Sequence, residues 1–389
     1  MQKLEQMRTI AGKVVDDKLY FSEMQFNGLF CLDLKTYKCS FVTMFLNVPL
    51  NNKMSHRKCV QFGDWLYFLP ERINLIHAYN PGTGRQVCFD LQQTGVEGPY
   101  IYEPVIWKDK LYYFSMKSGS ATCVLNLKRH VLEKYDRFGQ WCSRMGVAEE
   151  LGCRLGQQDE KVYFVENKKN RIICWNLETE EGEFIESCAK QLFGVTCAEN
   201  AIWMYTQDEP NLYCRDNNGN ERLYEGKLIY RGEAVYNHVV YVDRSVVCVP
   251  KQGKELYVYH QEESSFQIID VLEGVHINIK DEVRFFGYDV DGTVLYLFFA
   301  VGQGLIKYDT ATKQTEWIPT TLSDEREFRR LDASRLRENW KRDGIVYEGG
   351  NRLLSNFLLM SGTQSEEAKE DSVGKLIYEQ IVKKECALL

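Results

Sequence analysis

The chain has 389 residues, 44% of them apolar and 26% charged, with 20 Phe, 23 Tyr, 7 Trp and only 8 Pro. That is too long for one ordinary domain and too rich in core-forming side chains for a disordered chain. Its net charge of −7 provides no overall basic field, so neither nucleic acid nor an anionic membrane surface is an expected partner.

The first residues, MQKLEQMRTIAGKVV, carry charges early and have no apolar h-region. No secretory signal is therefore expected, and the predicted compartment is the cytoplasm. No window approaches about 18 uncharged apolar residues, so no membrane insertion is expected. The 13 cysteines are an odd number with no CxxC pair, and in a long chain without a signal they read as reduced thiols.

Seven apolar-aromatic runs recur along residues 8–322: KLYF, WLYFLP, KLYYF, KVYFV, AIWMY, VVCVP and VLYLF. Anchored on Tyr20, Tyr67, Tyr112, Tyr163, Trp203, Val247 and Tyr296, they lie 47, 45, 51, 40, 44 and 49 residues apart. This is the period of a four-stranded propeller blade. Thirteen residues after the anchors stand Asp33, Asn80, Asn176, Asp216, His260 and Asp309, with Asn126 fourteen after Tyr112. Most begin turn sequences such as NPGTG and DNNGN, so each should close a strand through a local side-chain-to-backbone bond. Asp16, Asp17, Gly63, Asp64, Asp109, Asp159, Asn200, Asp243 and Gly292, just before the anchors, suit a hairpin between the first two strands. Eleven residues after the anchors, Cys31, Cys123, Cys174 and Cys214 alternate with Ala78, Val258 and Lys307, which predicts cysteines packed against a neighbouring sheet. The predicted fold is therefore all-β: a seven-bladed β-propeller over 8–322, with blade six the weakest match.

After Leu322 the pattern changes. SDEREFRRLDASRLRENWKR has an N-capping serine and an acidic first turn. NRLLSNFLLM and VGKLIYEQIVKKECALL read as two further helices flanking a polar stretch. Residues 323–389 are thus expected to form a C-terminal helical segment. Its Leu376, Ile377, Tyr378 and Ile381 make an apolar stripe suited to a protein partner.

The seven regular blades resemble kelch-like and WD-like propellers, although the kelch glycine pair and the Trp-Asp repeat ending are absent. The tail around GKLIYEQI resembles that of uncharacterised bacterial propeller proteins encoded among polysaccharide-biosynthesis genes. That resemblance implies an accessory role in a carbohydrate pathway and carries no catalytic residue.

Motifs for catalysis are missing: there is no GxxxxGK[ST], HExxH, GxSxG or GxGxxG before a helix. Six His at no metal-ligand spacing predict no metal or cofactor. YDVDGT, with Asp289 and Asp291, reads as a hairpin rather than a calcium loop. In propellers the innermost strands line a channel. At nine residues before the anchors stand Ala11, Lys58, Glu103, Arg154, Gly194, His238 and Gly287, four of them ionisable. Lys58, Glu103, Arg154 and His238, with Tyr102 and Arg284 nearby, are the candidate ligand-binding residues. Trp141 and Arg144 join them because FGQWCSRMGVAEELG is an unusually long connection. The favoured reading is a non-enzymatic interaction or scaffold module with a protein partner. The runner-up is a small-ligand or glycan-binding propeller. The third is a propeller lyase, hydrolase or mutarotase using Glu103, Arg154 and His238 at the channel mouth.

Overall fold

The computed structural model describes residues 7–331, except 25–26, 51–53, 97, 99, 167–168, 200, 207–208, 227–235, 264, 274, 276–282, 300–303, 325 and 327–329. Seven four-stranded sheets follow one another along the chain, each a meander of consecutive strands a to d. They occupy residues 9–43, 56–90, 105–135, 151–186, 192–224, 236–270 and 285–319. Blade six keeps the predicted alignment, with SVVCVP as strand b and ELYVYH as strand c. Leu376, Ile377, Tyr378 and Ile381 lie outside the described residues, as does everything beyond Leu331.

The turn chemistry explains the regular spacing. Asp16, Asp17, Gly63, Asp159, Asp243 and Gly292 between strands a and b all have positive φ, the conformation that tight hairpins require and short polar residues and glycine tolerate. At the c-to-d turns, Asp33 Oδ1 accepts from the Thr36 N–H at 2.8 Å. Asn80, Asn126, Asn176, Asp216 and Asp309 accept equivalent backbone bonds. His260 departs from this pattern: its Nδ1 meets Ser245 Oγ at 3.0 Å instead.

Seven apolar clusters hold the blades together, one at each interface between neighbours around the ring. Cys123 and Cys174 are buried within two of them, and Cys31 and Cys214 pack half-buried against two others. The twelve described cysteines are all free thiols.

Blade seven takes all four strands from its own segment, and the ring is closed by contacts to blade one. Thr320 O accepts the Met7 N–H at 3.1 Å, and Thr320 Oγ1 donates to Met7 O at 2.6 Å. Leu322 then pairs in parallel with Cys39 on the outermost strand of blade one. Nearer the axis, Gly287 permits a close approach, because a Cβ there would lie 2.2 Å from Ile10 O.

The connection expected to be a long loop holds a helix, α1 (Arg137–Met145). Its buried residues Phe138, Trp141 and Cys142 recur at helical spacing within a connection that has no strand partner.

Candidate functional site at the channel mouth

The innermost strands a are Thr9–Val15, His56–Phe62, Val105–Trp107, Leu151–Gln158, Leu192–Ala198, Tyr236–Val242 and Phe285–Asp291. Five of them slip register by one residue near their start, as where His56 faces Pro70 but Lys58 faces Leu69. The fourth, Leu151–Gln158, slips further. Such a bulge leaves one residue outside the ladder and re-aims its side chain. The bulged residues are Ile10, Arg57, Phe193, Asn237 and Phe286, each beside the position singled out by the repeat.

Glu103, Arg154 and His238 converge on the channel axis from three blades. Arg154 Nη1 lies 3.6 Å and His238 Nδ1 3.9 Å from Glu103 Oε1, an ion pair and an approach that are both longer than hydrogen bonds. Arg154 is anchored by Asn237, with Nε donating to its carbonyl oxygen at 3.0 Å and Nη2 to Oδ1 at 3.1 Å. The Tyr102 ring carries two guanidinium groups, Arg57 at 4.0 Å and Arg154 at 4.4 Å from its centroid. Lys58 Nζ donates to Tyr288 O at 3.1 Å and sits 3.3 Å from the Tyr288 ring centroid.

Enclosure sets the protonation states. Burial, and then the charges of Arg154, Arg57 and Lys58, holds His238 well below the usual imidazole range, so it is neutral at pH 7. Burial lowers Lys58 to about 8, with Glu103 and Asp289 opposing the shift. Burial also works against the charge of Arg154, but Glu103, Cys153 and two tyrosines together more than offset it and raise its pKa.

Two spaces adjoin here. A cleft of about 410 Å³ is lined by Arg57, Asn237, Lys251, Gln252, Arg284, Phe285 and Phe286; among the described residues no carboxylate lines it. A void of about 20 Å³ lies between Glu103, Arg154, His238, Tyr205 and Tyr288. Consecutive residues of one strand line the two, Asn237 the cleft and His238 the void; Asn237 Nδ2 donates to Phe285 O at 2.5 Å and His238 Nε2 lies 3.4 Å from Phe286 O. Glu103 Oε2, Arg154 Nη1 and His238 Nδ1 are buried with no hydrogen-bond partner.

Of the residues singled out in the sequence, Glu103, Arg154 and His238 line the void and Arg284 lines the cleft, whereas Lys58 and Tyr102 line neither and instead pack on their neighbours, Lys58 on Tyr288 and Tyr102 under Arg57 and Arg154. Trp141 and Arg144 also line neither. Trp141 is buried against Trp175 and Phe184 at centroid distances of 5.8 and 5.4 Å, and Arg144 is exposed in the last turn of α1. A large aromatic on an amphipathic helix gains more by packing in the blade than by facing water. Asn237, Phe286 and Tyr288 escaped the sequence reading. A bulge adds a residue to the wall without altering the repeat, so only the neighbouring position carries a periodic signal. No group of metal-ligating side chains occurs among the described residues.

No family model and no curated protein matches the chain. Among solved structures it is similar to a streptogramin B lyase, with 12% identity over 82% of this chain and 95% of that one at a TM-score of 0.57. It is also similar to virginiamycin B lyase from Staphylococcus aureus, with 13% identity over 77% and 95% at 0.54. A chain of the mitotic checkpoint complex aligns with 9% identity over 82% and 91% at 0.51. Lyases and a subunit of a protein assembly thus share this architecture, and at such identities the likeness establishes a seven-bladed propeller fold.

Proposed function

We propose that the protein is a ligand-binding propeller that takes a small organic anion at the mouth of its central channel. The observation that carries this reading is the convergence of Arg57, Lys251 and Arg284 on one cleft. Phe285 and Phe286 supply apolar wall, and Asn237 and Gln252 supply amide groups. A concave site with a few convergent polar groups on an apolar wall is how proteins hold small molecules. Two guanidinium groups suit a carboxylate or phosphate by geometry as well as charge. The interaction-module reading draws on Leu376, Ile377, Tyr378 and Ile381, outside the described residues, so the channel favours the ligand over the protein partner. The lyases among the structural neighbours support the capacity of this fold for small-molecule work, and no catalytic role is assigned to Glu103, Arg154 or His238.

The test is calorimetric titration with gluconate, glucuronate, glucose 6-phosphate and citrate beside uncharged glucose. At least one anion should bind, glucose should not, and Arg57→Gln and Arg284→Gln should each weaken the anion at least tenfold. Binding of glucose as tightly as the anions, or failure of every anion at millimolar concentration, would overturn the reading.

A further inference from the structure

The void beside the cleft specifies more than charge. His238 Nε2 faces the Phe286 carbonyl oxygen, and a carbonyl can only accept, which places the imidazole proton on Nε2 and leaves Nδ1 as an acceptor. Nδ1 therefore points its lone pair toward a carboxylate oxygen of Glu103 3.9 Å away, with no hydrogen between them. Glu103 Oε2 is a second acceptor without a partner, and Arg154 Nη1 is a donor without one. Arg154 and His238 are only 3% and 4% exposed, so bulk water does not satisfy these atoms. Unmade hydrogen bonds at such depth are costly, and the cost falls when a group of matching polarity arrives.

The group that fits must donate toward Glu103 or His238, accept from Arg154, and be no larger than about one water molecule, because the void measures about 20 Å³. A hydroxyl meets all three conditions. An ammonium cannot accept, a carbonyl or ether oxygen cannot donate, and a methyl does neither. Asn237, which lines the cleft, and His238, which lines the void, are consecutive residues, so the two spaces are neighbours.

We infer that the ligand is a hydroxylated organic anion, of the sugar-acid or hydroxy-acid class, whose acidic group lies in the cleft against Arg57 and Arg284 while one hydroxyl enters the Glu103–Arg154–His238 void. This rests on the anion-binding reading and adds the class of ligand to it.

The experiment compares gluconate with hexanoate, which has the same chain length and charge and no hydroxyl, by calorimetry at one pH and ionic strength. Gluconate should bind at least thirtyfold more tightly. Glu103→Gln, which replaces an acceptor oxygen by a donor, should remove most of that preference. His238→Phe, which fills the void, should do the same. Arg57→Gln should weaken both anions together. Equal affinities for gluconate and hexanoate would refute the hydroxyl inference and leave the anion site standing. Failure of both anions to bind would refute the anion site and this inference with it.

Discussion

Asp289 in the last blade grips Lys13 in the first, with Oδ1 accepting from Nζ at 2.9 Å, and its other oxygen accepts the Val14 N–H at 2.8 Å. These residues are 276 positions apart, and the carboxylate is only 7% exposed. One side chain thus ties the first innermost strand to the last. Asp289→Ala would strand the buried Val14 N–H and leave the Lys13 ammonium with the Val290 carbonyl oxygen but no counter-charge, at a cost of about 2–4 kcal/mol. Urea unfolding should show it as a lower midpoint with an unchanged slope. A shift under about 0.5 kcal/mol would mean that the contacts of Thr320 and Leu322 suffice to close the ring.

Blades one and two are joined by a buried chain of imidazoles. Ser22 Oγ meets His56 Nδ1, His56 Nε2 meets His77 Nδ1, and His77 Nε2 donates to Leu46 O, each at 2.8 Å. Burial lowers His77 to about 4 against the opposing Leu46 bond, and burial with His77 beside it drives His56 well down. A histidine held neutral in the fold binds its proton only on unfolding. The stabilisation is therefore complete above the unfolded value near 6.5 and is lost as pH falls toward 4. From pH 6.5 to 5 the loss for His77 alone is roughly 2 kcal/mol. Chemical denaturation across that window should show stability declining, and His77→Gln should flatten the decline; an identical pH profile in that variant would place the effect elsewhere.

Lys58 has the opposite consequence at neutral pH. Its pKa of about 8 lies below that of a free lysine, so its charge in the channel works against folding at pH 7. That penalty fades as pH rises toward 10.5. Lys58→Met should therefore raise stability at pH 7 by up to about 3 kcal/mol, with the gain shrinking in alkaline buffer. Greater stability on neutralisation is the signature of a charge that the fold does not keep for structure. A variant less stable than the wild type at pH 7 would contradict this.

Trp141→Ala should cost about 3–5 kcal/mol by emptying the space between α1 and blade four. The indole packs so closely on Gly182 that a Cβ there would lie 2.7 Å from its Cζ2. Calorimetric affinity for the anion should be unchanged in whatever fraction remains folded. Lost affinity in a stably folded variant would return Trp141 to the channel side.

The blades were readable because a propeller writes its geometry in local chemistry. Six of the seven c-to-d turns have their own acceptor, as at Asp33 and Asn176, and each a-to-b hairpin its positive-φ residue, as at Asp17 and Gly292. The same register carried Lys58, Glu103, Arg154 and His238 to one end of the innermost strands. Their meeting was not readable, since Glu103 and His238 face each other across blades that share no local contact. The tautomer of His238 depends on one carbonyl supplied by Phe286, and the role of Asn237 depends on a bulge, both invisible in a repeat count. Trp141 was misplaced because a long connection and an amphipathic helix look alike until the blade beneath them is known.

The bulges in the innermost strands separate what the ring needs from what it displays. A side chain outside the ladder takes no part in strand pairing, and Arg57 and Phe286 belong to none of the clusters between blades, so each can be exchanged at little expense to assembly. The mouth of the channel is in this sense an interchangeable panel on a fixed frame. Its selectivity can be rewritten one blade at a time, and a library confined to Arg57 and Phe286 would sample new ligands while the propeller itself stayed intact.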